Sequence, residues 1–494
     1  MLTIAAHTLG CKVNQYDTQK ILSKFRELGF IEVPFASLAD LYLINTCSVT
    51  HVAEHKSRQF AAKVLKQNPK ARIIMAGCYS RLDAERVKEI PGVIGIIQDT
   101  DSLAPFDLEG LLLEFKAESS KLKAQREKGN GERSAAPPQI LRSVAQNDVQ
   151  TPITNQQQRT DSRLRGNDML DSNEQSPPSG GFRGPYENTA HASTSRVRRN
   201  LVIQNGCDQY CAYCIIPYAR GNPWDKPLED VLAEAKKLAS EEGAKEIILT
   251  GINLGAYGLD QKQSMSLRGG TTKQSGRGEG AITTVVKAIC QIKGLLRIRL
   301  SSVEPQYWTD ELLETIRNNP KICRHFHIPL QSGCDRTLQR MNRKYNTTEY
   351  ACLIAKINTF FPDAAITTDV IAGFPGETEK DSEECLDFVS RQGFAHLHTF
   401  KYSVRQGTKA AEMPDKVPEK AIKARAARLQ DLNGQLTIKY QDRFIGKELE
   451  VLWESFNEKS GVLSGLTGNY LRVKRKGSEE NIGVIQTLLY IRDL

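Results

Sequence analysis

The sequence predicts an α/β protein built on parallel sheets and closed by a small all-β module, and three features carry that reading. Between about 198 and 435, six strand-like apolar runs are each followed by a helical pattern, as in β-α units laid on a parallel sheet that curls into a partial barrel. Residues 1 to about 115 alternate short apolar runs with amphipathic stretches, as a small α/β domain does. Beyond about 437 the pattern changes to short alternating strands with glycine-rich turns, which predicts a small β-barrel.

Taken in order, the runs at 41–44, 73–75 and 93–97 are continuous and apolar, as buried parallel strands are, with helices expected at 17–28 and 51–66. From 119 to 197 the chain turns to Gln, Asn, Ser, Pro, Gly and charge with few aromatics; such a stretch buries too little to fold alone and is expected to be a disordered insertion or linker. The six barrel strands are expected at 201–204, 246–250, 297–300, 325–329, 365–371 and 396–402. After the first, Leu228, Val231, Leu232, Ala235, Leu238 and Ala239 fall on one helical face, with Gly243 as the stop. A second low-complexity piece at 261–280 shares Leu-Arg-Gly with the first and fits a loop insertion, where extra length costs little. A basic helix is expected at 421–436, then strands at 448–454, 462–466, 470–474 and 482–491. The expected domains are therefore 1–118, 119–197 as linker, 198–436 and 437–494.

At 494 residues, with 39% hydrophobic and 25% charged side chains, the chain can build real cores without disulfides. No run approaches the roughly 20 apolar residues that span a bilayer; Thr8-Leu9-Gly10-Cys11 follows too short an apolar run, with no basic segment, to be a lipoprotein cleavage site. The expected compartment is the cytoplasm. A net charge of +9 agrees with an acidic partner but equally with a solvated surface. Eleven cysteines in such a chain are expected to be reduced, and clustered ones to serve metal or redox chemistry.

The strongest local pattern is Cys207-Asp-Gln-Tyr-Cys211-Ala-Tyr-Cys214, three thiols in eight residues on the loop leaving the first barrel strand. Three thiolates are one short of a closed zinc site or a fully ligated cubane, so zinc completed from elsewhere and chance buried cysteines stay open on spacing alone. The C-x3-C-x2-C spacing resembles that of radical S-adenosylmethionine enzymes. That resemblance implies a 4Fe-4S cluster with one iron left for the amino and carboxylate groups of S-adenosylmethionine, whose one-electron cleavage yields an adenosyl radical. A barrel mouth at the C-terminal strand ends suits such a cofactor, and polar or glycine residues fall there: Gly251 and Asn253, Ser302 and Glu304, Gln331, and Asp369 followed by Gly373. Together they are expected to form a cofactor-binding rim.

Cys11, Cys47 and Cys78 form a second set at element boundaries of the N-terminal region. With parallel strands they share one sheet edge; by spacing alone, isolated buried cysteines are an equal reading. The segments 8–17, 45–50 and 76–79 resemble the methylthiotransferase family, as do 207–221, 249–253, 297–302, 327–333, 341–345 and 373–378, so the resemblance covers nearly the whole chain outside the two insertions. It implies an N-terminal methylthiotransferase domain in which Cys11, Cys47 and Cys78 hold an auxiliary 4Fe-4S cluster that supplies or relays sulfur. It also implies a partial (β/α)6 TIM-like radical barrel and a C-terminal TRAM-like domain. Within the family, Lys12-Val13-Asn14 and 402–408 look most like the enzymes that convert N6-threonylcarbamoyladenosine to its 2-methylthio form next to the anticodon of tRNA. One S-adenosylmethionine would then donate a methyl group to sulfur and a second would generate the radical that takes hydrogen from the adenine carbon. The implied partners are the tRNA anticodon loop, where unpaired bases are read, and an electron donor such as flavodoxin or ferredoxin. No membrane is expected, and the chain is expected to be a monomer.

Arg472, Lys474, Arg475 and Lys476 cluster on and after one C-terminal strand, where they fit either phosphate neutralisation or a solvated hairpin. Cys290, Cys323, Cys334, Cys352 and Cys385 lack ligand spacing and are expected to pack. Of His325 and His327, one is expected to face the barrel interior in a structural role. No residue is assigned as general acid or base. Other readings remain: methylthiolation of isopentenyladenosine in tRNA, modification of a ribosomal protein, or a non-catalytic iron–sulfur RNA-binding protein, for which an open iron would have no use.

Overall fold

The computed structural model describes residues 2–48, 51–100, 102–115, 117, 197–259 and 281–492; the expected insertions at 119–197 and 261–280 lie outside them, apart from Val197. The chain divides into two compact units, Met1–Phe106 with Gly184–Leu494, and Asp107–Arg183. In the second, residues 108–115 are helical.

In the first, the N-terminal part is a five-stranded parallel sheet: β1 (Thr3–Thr8), β2 (Ile31–Val33), β3 (Leu41–Thr46), β4 (Arg72–Gly77) and β5 (Val93–Ile97), in the order β2-β1-β3-β4-β5. Every residue of β3 is buried, which is why its first four residues read as an unbroken apolar run. Sequence reading missed β1 and β2. The first is Thr-Ile-Ala-Ala-His-Thr, too poor in β-branched apolar residues to stand out, and the second has three residues. The helix expected at 17–28 spans Lys12–Glu27. Its N-cap, Cys11, makes no side-chain capping bond, so the usual start signal is missing.

The barrel strands are β6 (Arg198–Asn205), β8 (Glu246–Gly251), β9 (Arg297–Leu300), β10 (His325–His327), β11 (Ala365–Ala372) and β12 (His396–Lys401), with a two-residue β7 (Trp224–Asp225) antiparallel to the end of β6. The six long strands are parallel in chain order; β6-β8-β9 and β10-β11-β12 pair as two ladders, joined by parallel bridges at Ser302–His327 and Ile298–Ile322. Period two then sorts the side chains. Leu201, Ile203, Ile247, Leu249, Ile298, Leu300, Phe326, Val370 and Leu397 join one apolar core with the predicted face of the helix Leu228–Ser240. The alternate positions, among them Arg198, Asn200, Glu246, Arg299, His327 and Asp369, give the barrel a polar inner face.

The C-terminal strands β13 (Glu448–Asn457), β14 (Val462–Thr467), β15 (Arg472–Lys476) and β16 (Ile485–Leu489) form an antiparallel sheet in the order β15-β14-β13-β16. A bulge between Trp453 and Ser455 bends it, as bulges do, and Arg475 on one edge strand donates to the Leu489 carbonyl on the other at 3.3 Å. The result is the expected curled, TRAM-like sheet. The helix before it, Glu419–Asp442, is longer than the 421–436 expected.

This sheet closes the N-terminal end of the barrel through buried arginines. Arg297 donates to the carbonyls of Leu466 and Glu450 at 2.7 and 2.8 Å, and Arg299 to those of Thr467 and Gly468 at 3.1 and 3.2 Å. Glu246, fully buried, accepts from both Arg299 and Arg198 at 2.8 and 2.9 Å, and Arg198 continues to Glu454 at 2.9 Å. Burial works against the Glu246 carboxylate, but the two guanidiniums outweigh it and lower its pKa from 4.5 to about 2.

Replacing Glu246 with Gln leaves buried Arg299 without its carboxylate and Arg198 with Glu454 alone, which costs about 3–5 kcal/mol when one partner of a buried pair is removed; denaturant unfolding followed by intrinsic fluorescence should show it. Because the folded-state pKa lies below the unfolded value, this contribution is intact above pH 4.5 and is lost as pH falls toward 2. The Gln variant should therefore show a smaller acid-induced loss over that interval than the parent.

Candidate functional site

The first cysteine triad sits where β6 ends at the barrel mouth. Gly206 turns the chain with φ +74°, and a Cβ there would lie 2.1 Å from the Asn222 carbonyl, so only glycine permits this turn. Cys207 N–H then donates to the Gly221 carbonyl at 3.2 Å, and Cys214 N–H to that of Cys211 at 2.9 Å. Ala212 is held from two other loops, donating to the Met341 carbonyl at 2.9 Å and accepting from Ala410 N–H at 2.8 Å. Burial, with the neighbouring sulfurs adding to it, raises the Cys207 thiol to about 11 and the Cys214 thiol to about 12. Without a cation these thiols stay protonated; a metal cluster would have to displace their protons, as thiolate sites do.

Arg343 supplies fixed positive charge beside this triad. Its side chain is 5% exposed; it reaches Cys211 Sγ at 3.3 Å and Tyr345 Oη at 3.0 Å, and pairs with Glu304. Tyr345 is in turn anchored on the Pro329 and Leu330 carbonyls at 2.7 and 2.9 Å. Nothing local marks Arg343, because Cys211 and Glu304 reach it from distant loops.

The rim residues expected from the strand ends are largely brought together. Asn253 N–H donates to Gln204 Oε1 at 2.7 Å, its Nδ2 meets Tyr307 Oη at 3.3 Å, and its Oδ1 is buried with no partner. Gly251 ends β8 beside Gln204, Ser302 bridges to His327, and Gln331 bridges to Val370 and donates its N–H to the Asp369 carbonyl at 2.8 Å. Gly373 stands apart. Its φ is +81° and a Cβ would strike Ile422 at 2.4 Å, so close packing of the Glu419–Asp442 helix explains this glycine.

Inside the barrel, His325 and His327 both face inward, correcting the expectation of one: residues two apart on a strand share a face. They meet Thr367 Oγ1 at 3.1 and 2.9 Å, and His327 Nε2 lies 3.2 Å from Asp369. His327, Asp369 and His398 bring ligand-type atoms within 4.8 Å of one another. Of the five scattered cysteines, four are buried as expected, whereas Cys352 is exposed on its helix.

Cys11, Cys47 and Cys78 follow β1, β3 and β4, three adjacent strands, and so share the C-terminal edge of the N-terminal sheet. Asn14 fixes the loops: its Nδ2 donates to the Leu9 and Thr46 carbonyls at 2.9 and 2.8 Å. Asn45 Nδ2 donates back to the Asn14 carbonyl at 2.8 Å. Before Cys78, Gly77 has φ +92°, and a Cβ there would lie 2.2 Å from Asn45 Oδ1. Gly10 lies so close to Cys47 that a Cβ would be 3.1 Å from its sulfur. The edge also holds buried atoms without a protein partner, Ser48 Oγ and Arg220 Nε. Three thiols on one sheet edge, with spare polar atoms beside them, are a donor set that fits a bound inorganic cluster.

The two triads lie on facing elements. The helix Ile216–Arg220, which begins two residues after Cys214, packs against the helix Cys78–Leu82. Neighbouring contacts fix the docking: Asn200 to Gln15 at 3.2 Å, Tyr16 to Glu234 at 3.1 Å, and Lys226 to Tyr16 at 2.9 Å. On the other flank, buried Arg405 pairs with Glu54 at 2.6 Å beside Cys47.

Compared with known proteins, residues 201–389 match the radical SAM superfamily and residues 3–98 match the uncharacterized protein family UPF0004. The chain is 34% identical to a threonylcarbamoyladenosine tRNA methylthiotransferase of Bacillus subtilis, over 98% of this chain and 93% of that protein. It is 30% identical to a tRNA-2-methylthio-N(6)-dimethylallyladenosine synthase of Acetivibrio thermocellus, over 98% of this chain and 87% of that one. A radical S-adenosylmethionine methyltransferase from Kitasatospora setae aligns with a TM-score of 0.46 at 13% identity, covering 83% of this chain and 74% of that one.

Arg343→Met should cost about 1.5–3 kcal/mol, the worth of a hydrogen bond to a charged group. Adding Glu304→Gln should recover part of that loss in a double-mutant cycle read by chemical denaturation.

Proposed function

Because the chain belongs to the radical S-adenosylmethionine methylthiotransferase family, we propose that its substrate is N6-threonylcarbamoyladenosine next to the anticodon of tRNA, converted to the 2-methylthio nucleoside. The enzyme class and the need for S-adenosylmethionine and a 4Fe-4S cluster come with the family. When bound, they supply an adenosyl radical; everything else falls to the protein. Cys207, Cys211 and Cys214 would hold that cluster, with Arg343 offsetting thiolate charge at Cys211. Gly251, Asn253, Ser302, Glu304, Gln331 and Asp369 would line the cofactor rim, without Gly373, and Asn253 Oδ1 is an acceptor without a protein donor there. Cys11, Cys47 and Cys78 would hold a second 4Fe-4S cluster on the facing edge.

The observation that carries the substrate choice is the polar inner face of the barrel. A dimethylallyl substituent is apolar and gains nothing from Thr367, Asp369, His327 and His398, whereas a threonylcarbamoyl group carries a carboxylate, a hydroxyl and amide groups that such side chains satisfy. Lys12, in electrostatic reach of Arg299, His325 and His398 and lowered to about 7 by burial and the neighbouring guanidiniums, adds a titratable amine donor to the same space.

In division of labour, residues 1–118 would carry the second cluster, 198–436 the radical chemistry, and 437–494 the RNA backbone through Arg472, Lys474, Arg475 and Lys476. Flavodoxin or ferredoxin would deliver the electron to a monomer in the cytoplasm. Among the described residues no helix is long and apolar enough to cross a membrane.

In cells lacking the protein, mass analysis of tRNA nucleosides should show the 2-methylthio-threonylcarbamoyl nucleoside gone and its unmodified parent increased. Loss of the methylthio-isopentenyl nucleoside instead, or unchanged tRNA with an altered ribosomal protein, would overturn the assignment. With purified enzyme, Cys207→Ala should abolish reductive cleavage of S-adenosylmethionine, whereas Cys47→Ala should keep measurable cleavage and yield no methylthiolated product; full product from either variant contradicts the two-cluster reading.

A further inference from the structure

One buried cation is carried by the barrel yet spent on the N-terminal domain. Arg220 ends the helix Ile216–Arg220, six residues after Cys214, and its side chain is 0% exposed. Its Nη2 donates to Asn14 Oδ1 at 2.7 Å and to Asp17 Oδ2 at 3.0 Å, and its Nη1 to Asn205 Oδ1 at 3.1 Å. Cys78 Sγ lies 3.9 Å from the same Asn14 oxygen. Three contacts leave part of the five-donor fork unused, and Nε is buried with no partner. An orphaned buried donor is costly. A plain tie to Asp17 would not require that cost, because a lysine could reach the carboxylate with a single donor set.

We propose that Arg220 is a positioning residue for the second cluster, presenting its guanidinium to the Cys78 side of that cluster so that the barrel helix leaving the first triad completes the outer shell of the second. This rests on the proposal that Cys11, Cys47 and Cys78 hold a cluster. A fixed cation against cluster sulfur favours the more negative, reduced state, since net charge and hydrogen bonds to the sulfurs set cluster potentials. It also links the two sites. The same helix that is positioned by Cys214 and its loop controls how firmly the facing cluster is held, so the second site is complete only when the two domains are docked.

The test uses the full chain, reconstituted anaerobically in a Cys207→Ala background so that the second cluster is observed alone, with Arg220→Gln and Arg220→Lys added. Iron content, loss of iron to a chelator and an EPR-monitored redox titration are read alongside thermal unfolding. The Gln variant should lose iron about tenfold to a hundredfold faster, the usual consequence of removing an outer-shell partner, and its potential should move to more negative values. Lys should restore the potential in part, by charge, but not the retention, for want of the planar fork. In the otherwise unaltered chain the first cluster's potential should not move. Unchanged iron retention and potential in the Gln variant overturn the proposal, as does a Gln variant whose cluster loss only follows a drop in melting temperature. If the Cys207→Ala parent itself holds no iron, the second cluster is refuted and this inference with it, a result distinct from an intact cluster indifferent to residue 220.

Discussion

The arrangement of the site depends on how the helix Lys12–Glu27 is seated against β6. Its N-cap is Cys11, and its first turns carry Asn14, Gln15, Tyr16 and Asp17, which meet Arg220, Asn200, Glu234 and Lys226 across the domain boundary. One helix thereby places a cysteine, ties its loop to that of Cys47 through Asn14, and locks the sheet edge to the barrel. Were this helix to slide by a turn, about 5.4 Å, the two triads would no longer face each other, and no local repair within either domain would restore them.

A second constraint is electrostatic. The barrel interior is lined with charge at both ends: the Arg198–Glu246–Arg299 group beneath, and Arg343 with Glu304 above. Buried ion pairs contribute little net stability compared with apolar packing, yet breaking one is costly. The stability of this barrel comes instead from its outer face, where Leu201, Ile247, Ile298, Phe326 and Val370 pack under the helices. The inner face is thus free to be polar. That division leaves the barrel interior room for polar and charged groups without weakening its core.

The same division explains the seat of the C-terminal sheet. Its contacts with the barrel include backbone carbonyls accepting from Arg297 and Arg299 and His325 stacked on Tyr470 at 3.9 Å between ring centroids. Such contacts fix orientation, and they leave Lys474 and Lys476 exposed on β15 for an anionic partner.

Much of this protein was legible along the chain. The apolar runs of β3, β4, β5 and all six barrel strands are local signals, because strands buried on both faces or alternating in period two write their environment into consecutive residues. The two cysteine triads stood out along the chain as candidates, one from tight spacing, the other only through the family resemblance of the segments that carry it. What could not be read was anything whose partner lies far along the chain. β1 is built from small residues and takes its strand state from the neighbours that flank it. Arg220, Arg343 and Glu246 look like ordinary charged residues until residues roughly 40 to 200 positions away close around them. Sequence by itself determined the elements and the chemical groups they carry; only the tertiary structure decided which groups face one another, because burial and charge pairing are properties of the assembled core and not of any single segment.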